Sequence, residues 1–323
     1  MRAVIAHHPG PPDVLQVVDL PDPEPAAGQV LVAVEVAAIT FIDTQLRAGA
    51  SPRPLAPDTF PLVLGNGVGG TVLALGDDVD PAWLDTQVVT STGGRGGYAT
   101  RALATASDLH RLPAAVDLPT AVALLADGRT ALGLARAARI RSGDTVAVTA
   151  AAGGVGSLLV QLARNAGARV VALAGADRKL DHARSLGADT TINYRRPDWP
   201  EHLTAAAPDG LDVIFDGVGG PTSRHLVDHI APGGRYLPHG AASGIWGDID
   251  EDLVTARNAT IIPLTEISSG PDDLYQLVEQ ALHHAARGAI RPAIGQTYPL
   301  DQAALAHTAI EARTALGKTL LTP

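Results

Sequence analysis

Apolar and polar positions alternate along Val30-Leu-Val-Ala-Val-Glu-Val36, and the run is rich in β-branched residues. This pattern predicts a strand with one buried face. Thr71–Leu75 and Thr86–Thr90 are shorter runs of the same kind. Pro- and Gly-rich connectors at 21–28, 50–61 and 93–97 separate them. Short strands punctuated in this way predict a compact β-barrel-like domain.

Near residue 120 the pattern changes. Residues 120–141 are Ala- and Leu-rich with Arg at intervals, which predicts a helix. Strands and helices then alternate. Strands are expected at 144–149, 169–174, 190–194, 211–215 and 235–237. Helices are expected at 155–166, 177–186 and 220–230, with one more between 194 and 211. Asp177 is placed to cap its helix and Gly187 to stop it. This alternation predicts βαβ units and a parallel sheet. A helix at 272–287, another at 301–312 and a last strand at 317–321 follow. The tail is too short for a third domain and is expected to return to the first. The resulting division is 1–119 with 263–323 for one domain and 120–262 for the other.

Composition narrows the function. The chain has 323 residues, 46% hydrophobic and 18% charged, and its net charge is −10. An acidic chain lacks the basic surface that nucleic acids require. Cysteine is absent, which excludes disulfides and thiolate metal sites. No run reaches the roughly 18–20 apolar residues of a membrane span, and the first residues do not read as a signal peptide. A cytoplasmic enzyme is expected. Of the eleven histidines, His225 and His229 are four apart and could share a helix face, but that helix belongs on a domain exterior. His7/His8 and His283/His284 read as surface pairs.

The sharpest motif is Ala150-Ala-Ala152-Gly153-Gly154-Val155-Gly156, which follows a predicted strand and opens a predicted helix. Glycines there permit a tight turn and a close backbone approach to a pyrophosphate, which the helix amino end then binds. NAD sites carry Asp or Glu at the tip of the second strand, on the ribose 2′-hydroxyl. Here that tip reads Leu173-Ala-Gly175-Ala. The missing acid favours a 2′-phosphate, and Arg178 and Lys179 are placed to neutralise it. Asp177 argues the other way, although helix capping explains it better.

Further motifs carry a family resemblance along nearly the whole chain. They are Phe41-Ile-Asp43 with Arg47 and Gly49, Gly96-Gly-Tyr-Ala99, Gly128-Arg-Thr130-Ala131, the loop 150–156, Leu186-Gly-Ala-Asp189 with Ile192-Asn-Tyr194, Asp216-x-Val218-Gly219, and Gly317-Lys-Thr-Leu320. Together they resemble the zinc-independent quinone oxidoreductase (zeta-crystallin-like) branch of the medium-chain dehydrogenase/reductase superfamily. The resemblance implies an α/β fold: a GroES-like β-barrel catalytic domain built from both chain ends, with a Rossmann NADP-binding domain inserted. It also implies an active site in the cleft, NADPH as cofactor and a homodimer. Lys179 and Tyr194 match residues that hold the 2′-phosphate, and Thr130 matches a residue beside the nicotinamide. Gly240 and Ser243 fall in the loop near its carboxamide, and Lys318 lies in the terminal strand bordering the cofactor.

Three positions depart from the family pattern. Thr40 stands for an Asn, Gln45 for a frequent Tyr, and Gly67 for an acid. Drift and a changed substrate pocket account for them equally well. A metal-free site suits hydride acceptors such as quinones or carbon–carbon double bonds conjugated to a carbonyl. Thr40 could hydrogen-bond the developing oxyanion. Asp43 is a candidate proton source or loop-orienting group, and Gln45 occupies the lost phenol's place. Two other readings stand beside this one: a dedicated tailoring enzyme of a bacterial secondary-metabolite pathway, reductive or non-redox, and a non-catalytic NADPH-binding protein.

Overall fold

A computed structural model describes residues 1–50, 59–247 and 249–323. Most of the connector expected at 50–61 therefore lies outside the described residues. The chain divides into two compact units: 1–126 with 285–287 and 294–323, and 127–284 with 288–293.

The first unit is built on strand Gln29–Ile39, longer than its alternating stretch suggested. It pairs antiparallel with Gly67–Leu75, Arg101–Thr105 and the C-terminal strand Lys318–Thr322. These strands belong to a seven-stranded sheet. A second sheet of three strands pairs Arg2–Ala6 with Leu15–Asp19 and Leu62–Val63. Val4, Leu15, Val34, Ile39, Leu64 and Tyr98 form the main core. Val30, Val32, Val72, Val88 and Leu109 form a smaller one. The chain thus fills this unit with aliphatic side chains, as its low aromatic content requires.

The second unit is a six-stranded parallel sheet. Its order is Thr190–Asn193, Arg169–Ala174, Thr145–Val148, Leu211–Asp216, Ile230–Pro238, Thr260–Ile261. The chain starts in the middle, builds outward to one edge and returns to build toward the other. The doubly wound order creates a switch point beside Thr145–Val148, where dinucleotides bind in such sheets. Val171, Leu173, Trp199, Leu203, Ile214 and Tyr236 pack its core.

Several boundaries differ from the sequence expectation for physical reasons. Strand Ile230–Pro238 continues through Pro232 and Gly233, where a register shift absorbs the breakers. Helix Leu118–Ala138 starts in the first unit because Leu118 and Val122 lie over Gly69. Residues 263–284 group with the second unit, not the first. There Arg136 holds both Asp273 oxygens and the Ile267 carbonyl. Among the described residues no helix is long and apolar enough to cross a membrane.

Candidate functional site

The dinucleotide loop occupies the switch point of the parallel sheet. Thr149 ends the central strand by donating its N–H to the Phe215 carbonyl. Ala150 adopts φ 47°, an unusual conformation for a residue with a Cβ. Gly153 N–H closes the turn on the Ala150 carbonyl at 2.8 Å, and helix Gly154–Asn165 begins at once. A Cβ on Gly156 would overlap the Ala150 carbonyl, so only glycine lets helix and loop approach this closely. Ala152 is buried beneath the turn, while Gly153, Gly154 and Val155 remain partly open. The result is a cradle of backbone N–H groups at a helix amino end, which fits a diphosphate.

The tip of strand Arg169–Ala174 is covered by side chains that the sequence only partly indicated. A Cβ on Gly175 would stand 3.0 Å from Arg195 Nε and 3.1 Å from Tyr194 Cε2. Tyr194 and Arg195 thus both lie against this strand tip. The sequence signal for Arg195 was its adjacency to Tyr194 at the end of a strand. Arg178 is exposed and Lys179 half-buried in the first turn of helix Asp177–Ser185. Asp177 does not cap this helix. Ala176 is the capping residue, and Asp177 is the first helical residue. Its carboxylate accepts from Asn193 Nδ2 at 3.0 Å and pairs with Arg196 at 3.4 Å. The helix begins one residue earlier than a capping Asp would require.

Asp216, at the end of the fourth parallel strand, is a buried hub. Oδ1 accepts from the Thr149 hydroxyl at 2.8 Å and from the N–H groups of Val218 and Gly219. Oδ2 accepts from the Ser223 hydroxyl at 2.5 Å and the Tyr236 phenol at 2.7 Å. Burial and the Asp216 charge push the Tyr236 phenol far up. The hub fixes residues 216–219, and these in turn hold the next loop. Gly240 donates to the Asp216 carbonyl, Ala242 to that of Gly217 and Ser243 to that of Val218. Thr130 is half-buried on helix Leu118–Ala138. His239 packs on Gly217, and burial pushes its imidazole down to about 4.

The polar cluster of the first unit surrounds Asp43. Helix Phe41–Ala48 buries Asp43, Thr44 and Arg47 while Phe41 and Ile42 stay exposed. Thr40 and Asp43 form its capping box. Asp43 Oδ2 accepts both the Thr40 N–H and the Thr40 hydroxyl, each at 2.7 Å. Among the described residues, Oδ1 is buried without a hydrogen bond of ordinary geometry. Burial pushes the Asp43 carboxyl up, and the buried Lys318 ammonium partly offsets this. Tyr98 packs edge-on against His307, with 3.0 Å between its hydroxyl and Nε2. Burial and the Asp43 charge push the Tyr98 phenol well up. Burial and the Arg47 charge push His307 down to about 3. Arg47 pairs with Glu311 and donates to the Gly10 carbonyl.

The structure thus joins Thr40, Asp43 and Lys318, and it leaves Gln45 apart. Among the described residues, the Gln45 amide reaches the Thr44 hydroxyl, at 3.4 Å. Gly67 sits in a tight place, where a Cβ would stand 3.0 Å from Leu125 Cδ2. A side chain there would have to shift the Leu125 end by a few tenths of an ångström.

Two family profiles match the chain: the alcohol dehydrogenase GroES-like domain over residues 26–114 and zinc-binding dehydrogenase over 154–283. There is no cysteine, and among the described residues no three His, Asp or Glu gather as a ligand set. His229 instead bonds the His225 carbonyl and Thr204, and His225 packs on Trp199. A 2-haloacrylate reductase from a Burkholderia species is 30% identical, covering 100% of this chain and 99% of that one. A quinone oxidoreductase of Pseudomonas aeruginosa is 30% identical over 97% of each chain. The Escherichia coli quinone oxidoreductase complexed with NADPH superposes with TM-score 0.91 at 28% identity, covering 100% of both chains. A structure described as an NAD-dependent alcohol dehydrogenase superposes with TM-score 0.90 at 31% identity, again covering 100% of both chains. A profile match in each unit, and a quinone oxidoreductase relative 30% identical over 97% of this chain, place the chain in the quinone oxidoreductase branch of the medium-chain dehydrogenase/reductase superfamily.

Proposed function

We propose that the protein is an NADPH-dependent reductase that delivers hydride to a quinone or an α,β-unsaturated carbonyl. The observation that carries this reading is the Thr40–Asp43 pair, a hydroxyl backed by a buried carboxyl. The nicotinamide, when bound, supplies the hydride. The protein must then steady the oxyanion and deliver a proton. In the ionised state of Asp43, the Thr40 proton is committed to Oδ2. A proton on Asp43 reverses that bond, so that Thr40 Oγ1 accepts and its own hydrogen turns to the substrate oxygen. One proton thus passes from Asp43 through Thr40, and a quinone leaves as the hydroquinone. With an enone, hydride on the β-carbon and a proton complete the saturated carbonyl. Burial supports this role by favouring the neutral carboxyl.

The cofactor preference is supported by Gly175 at the strand tip, with Tyr194 and Arg195 over it and Arg178 and Lys179 on the following helix. A diphosphate fits the loop Ala152–Gly156, and Asp216 holds the loop bearing Gly240 and Ser243 in place. The name of the 2-haloacrylate reductase relative favours an activated alkene over a plain alcohol as substrate. We also carry the family's cytoplasmic homodimer as a proposal, to be checked by light scattering and fractionation.

The test is NADPH oxidation at 340 nm with 1,4-benzoquinone, 9,10-phenanthrenequinone and a small enone, with NADH in parallel. Turnover favouring NADPH supports the reading. Tight NADPH binding without reduction of any acceptor turns the assignment to a dedicated pathway enzyme or a non-catalytic binder.

A further inference from the structure

We propose that Asp127 is a resident anion in the dinucleotide site and limits how tightly the cofactor diphosphate is held. The inference rests on the cofactor reading above. Helix Gly154–Asn165 starts at Gly153 without a side-chain cap, and its first turn contains no acidic residue. The positive end of its dipole thus has no carboxylate from the helix itself. Asp127 supplies one from helix Leu118–Ala138. A Cβ on Gly154 would overlap Asp127 Oδ2 and stand 2.8 Å from its Cγ. The carboxylate therefore lies directly against the first residue of the helix, in space that a side chain on Gly154 would otherwise fill. Asp127 also precedes Thr130 by three residues, which places both on one helix face.

A diphosphate brings more negative charge to this same helix end. Like charges a few ångströms apart in a partly buried site repel strongly enough to change an affinity tenfold or more. Asp127 either turns away when the cofactor binds, losing its place at the dipole, or stays and repels. Both outcomes weaken binding. The residue thus acts as a brake on affinity that speeds cofactor exchange, a step that often limits turnover in such enzymes.

The experiment compares the full-length wild type with Asp127→Asn and Asp127→Ala. NADPH dissociation constants are measured by fluorescence titration at low and high salt, alongside melting temperatures without cofactor. Both variants are expected to bind NADPH about tenfold tighter at low salt, with the gain shrinking as salt rises. Without cofactor they should melt slightly lower, because the carboxylate at the dipole is gone. Equal or weaker NADPH binding by folded variants overturns the proposal and makes Asp127 a helix-capping or ligand-positioning group. A wild type that binds neither NADPH nor NADH overturns the cofactor reading and this inference with it.

Discussion

The Thr40 hydroxyl and the Thr40 N–H both donate to one oxygen of Asp43, each at 2.7 Å. The same carboxylate thus begins a helix and fixes the direction of the Thr40 hydroxyl. Replacing Thr40 with Val keeps the shape and removes the hydroxyl. Turnover with a quinone is expected to fall about 10²-fold, as for loss of one oxyanion donor, while NADPH binding stays unchanged. Stopped-flow kinetics and a binding titration separate the two effects. The lost capping interactions should cost about 1 kcal/mol of stability.

Arg195 gives a second prediction. Arg195→Ala and the double change Arg178→Ala with Lys179→Ala should each raise the KM for NADPH about tenfold or more, while the KM for NADH stays nearly constant. Steady-state kinetics with both cofactors reads this directly. Equal losses for both cofactors would place the 2′-phosphate elsewhere.

Two buried histidines make stability fall on the acid side. His239 is held near 4 and His307 near 3, against 6.5 for a free imidazole. Their folded values are depressed, so the unfolded chain takes up protons more readily as pH drops below 6.5. Stability present above that value is then lost progressively toward pH 4. Melting temperatures measured from pH 7.5 to 4.5 should decline across that window. His307→Gln should show a shallower decline than the wild type.

Asp216→Asn tests the hub beneath the loop 239–247. An amide nitrogen cannot accept bonds from hydroxyls or N–H groups, so several of the five donors lose their partner. A loss of about 3 kcal/mol is expected, with faster hydrogen exchange at Ala242 and Ser243. These amides bond to the backbone of the segment that Asp216 organises.

The second unit was largely legible in the sequence because its strands are buried apolar runs and its helices have one apolar face. Arg169–Ala174 illustrates this, for the observed strand has the expected ends. Helix Phe41–Ala48 was not legible. It buries Asp43 and Arg47 and exposes Phe41 and Ile42, the reverse of an amphipathic helix in water. Its motif could be matched to a family, yet periodicity gave no sign of a helix. The strands Arg2–Ala6 and Leu15–Asp19 were missed because they are short and acquire their faces only by pairing. At the candidate site, the glycines, Tyr194 and the Thr40–Asp43 pair were visible as local motifs. Tyr98 with His307 and Asp127 with Gly154 were not, since each pair meets only through the fold.

Gly175 carries a consequence for how such a protein could change its cofactor. Arg195 and Tyr194 stand over the space where a side chain at this position would project. An acid introduced there to hold a ribose 2′-hydroxyl must first push both aside, while Arg178 and Lys179 remain on the following helix. The first substitution toward NADH would therefore spoil one site before it builds the other. Switching preference needs concerted replacement at the strand tip and its neighbours, so drift by single changes faces a valley in fitness that packing alone creates.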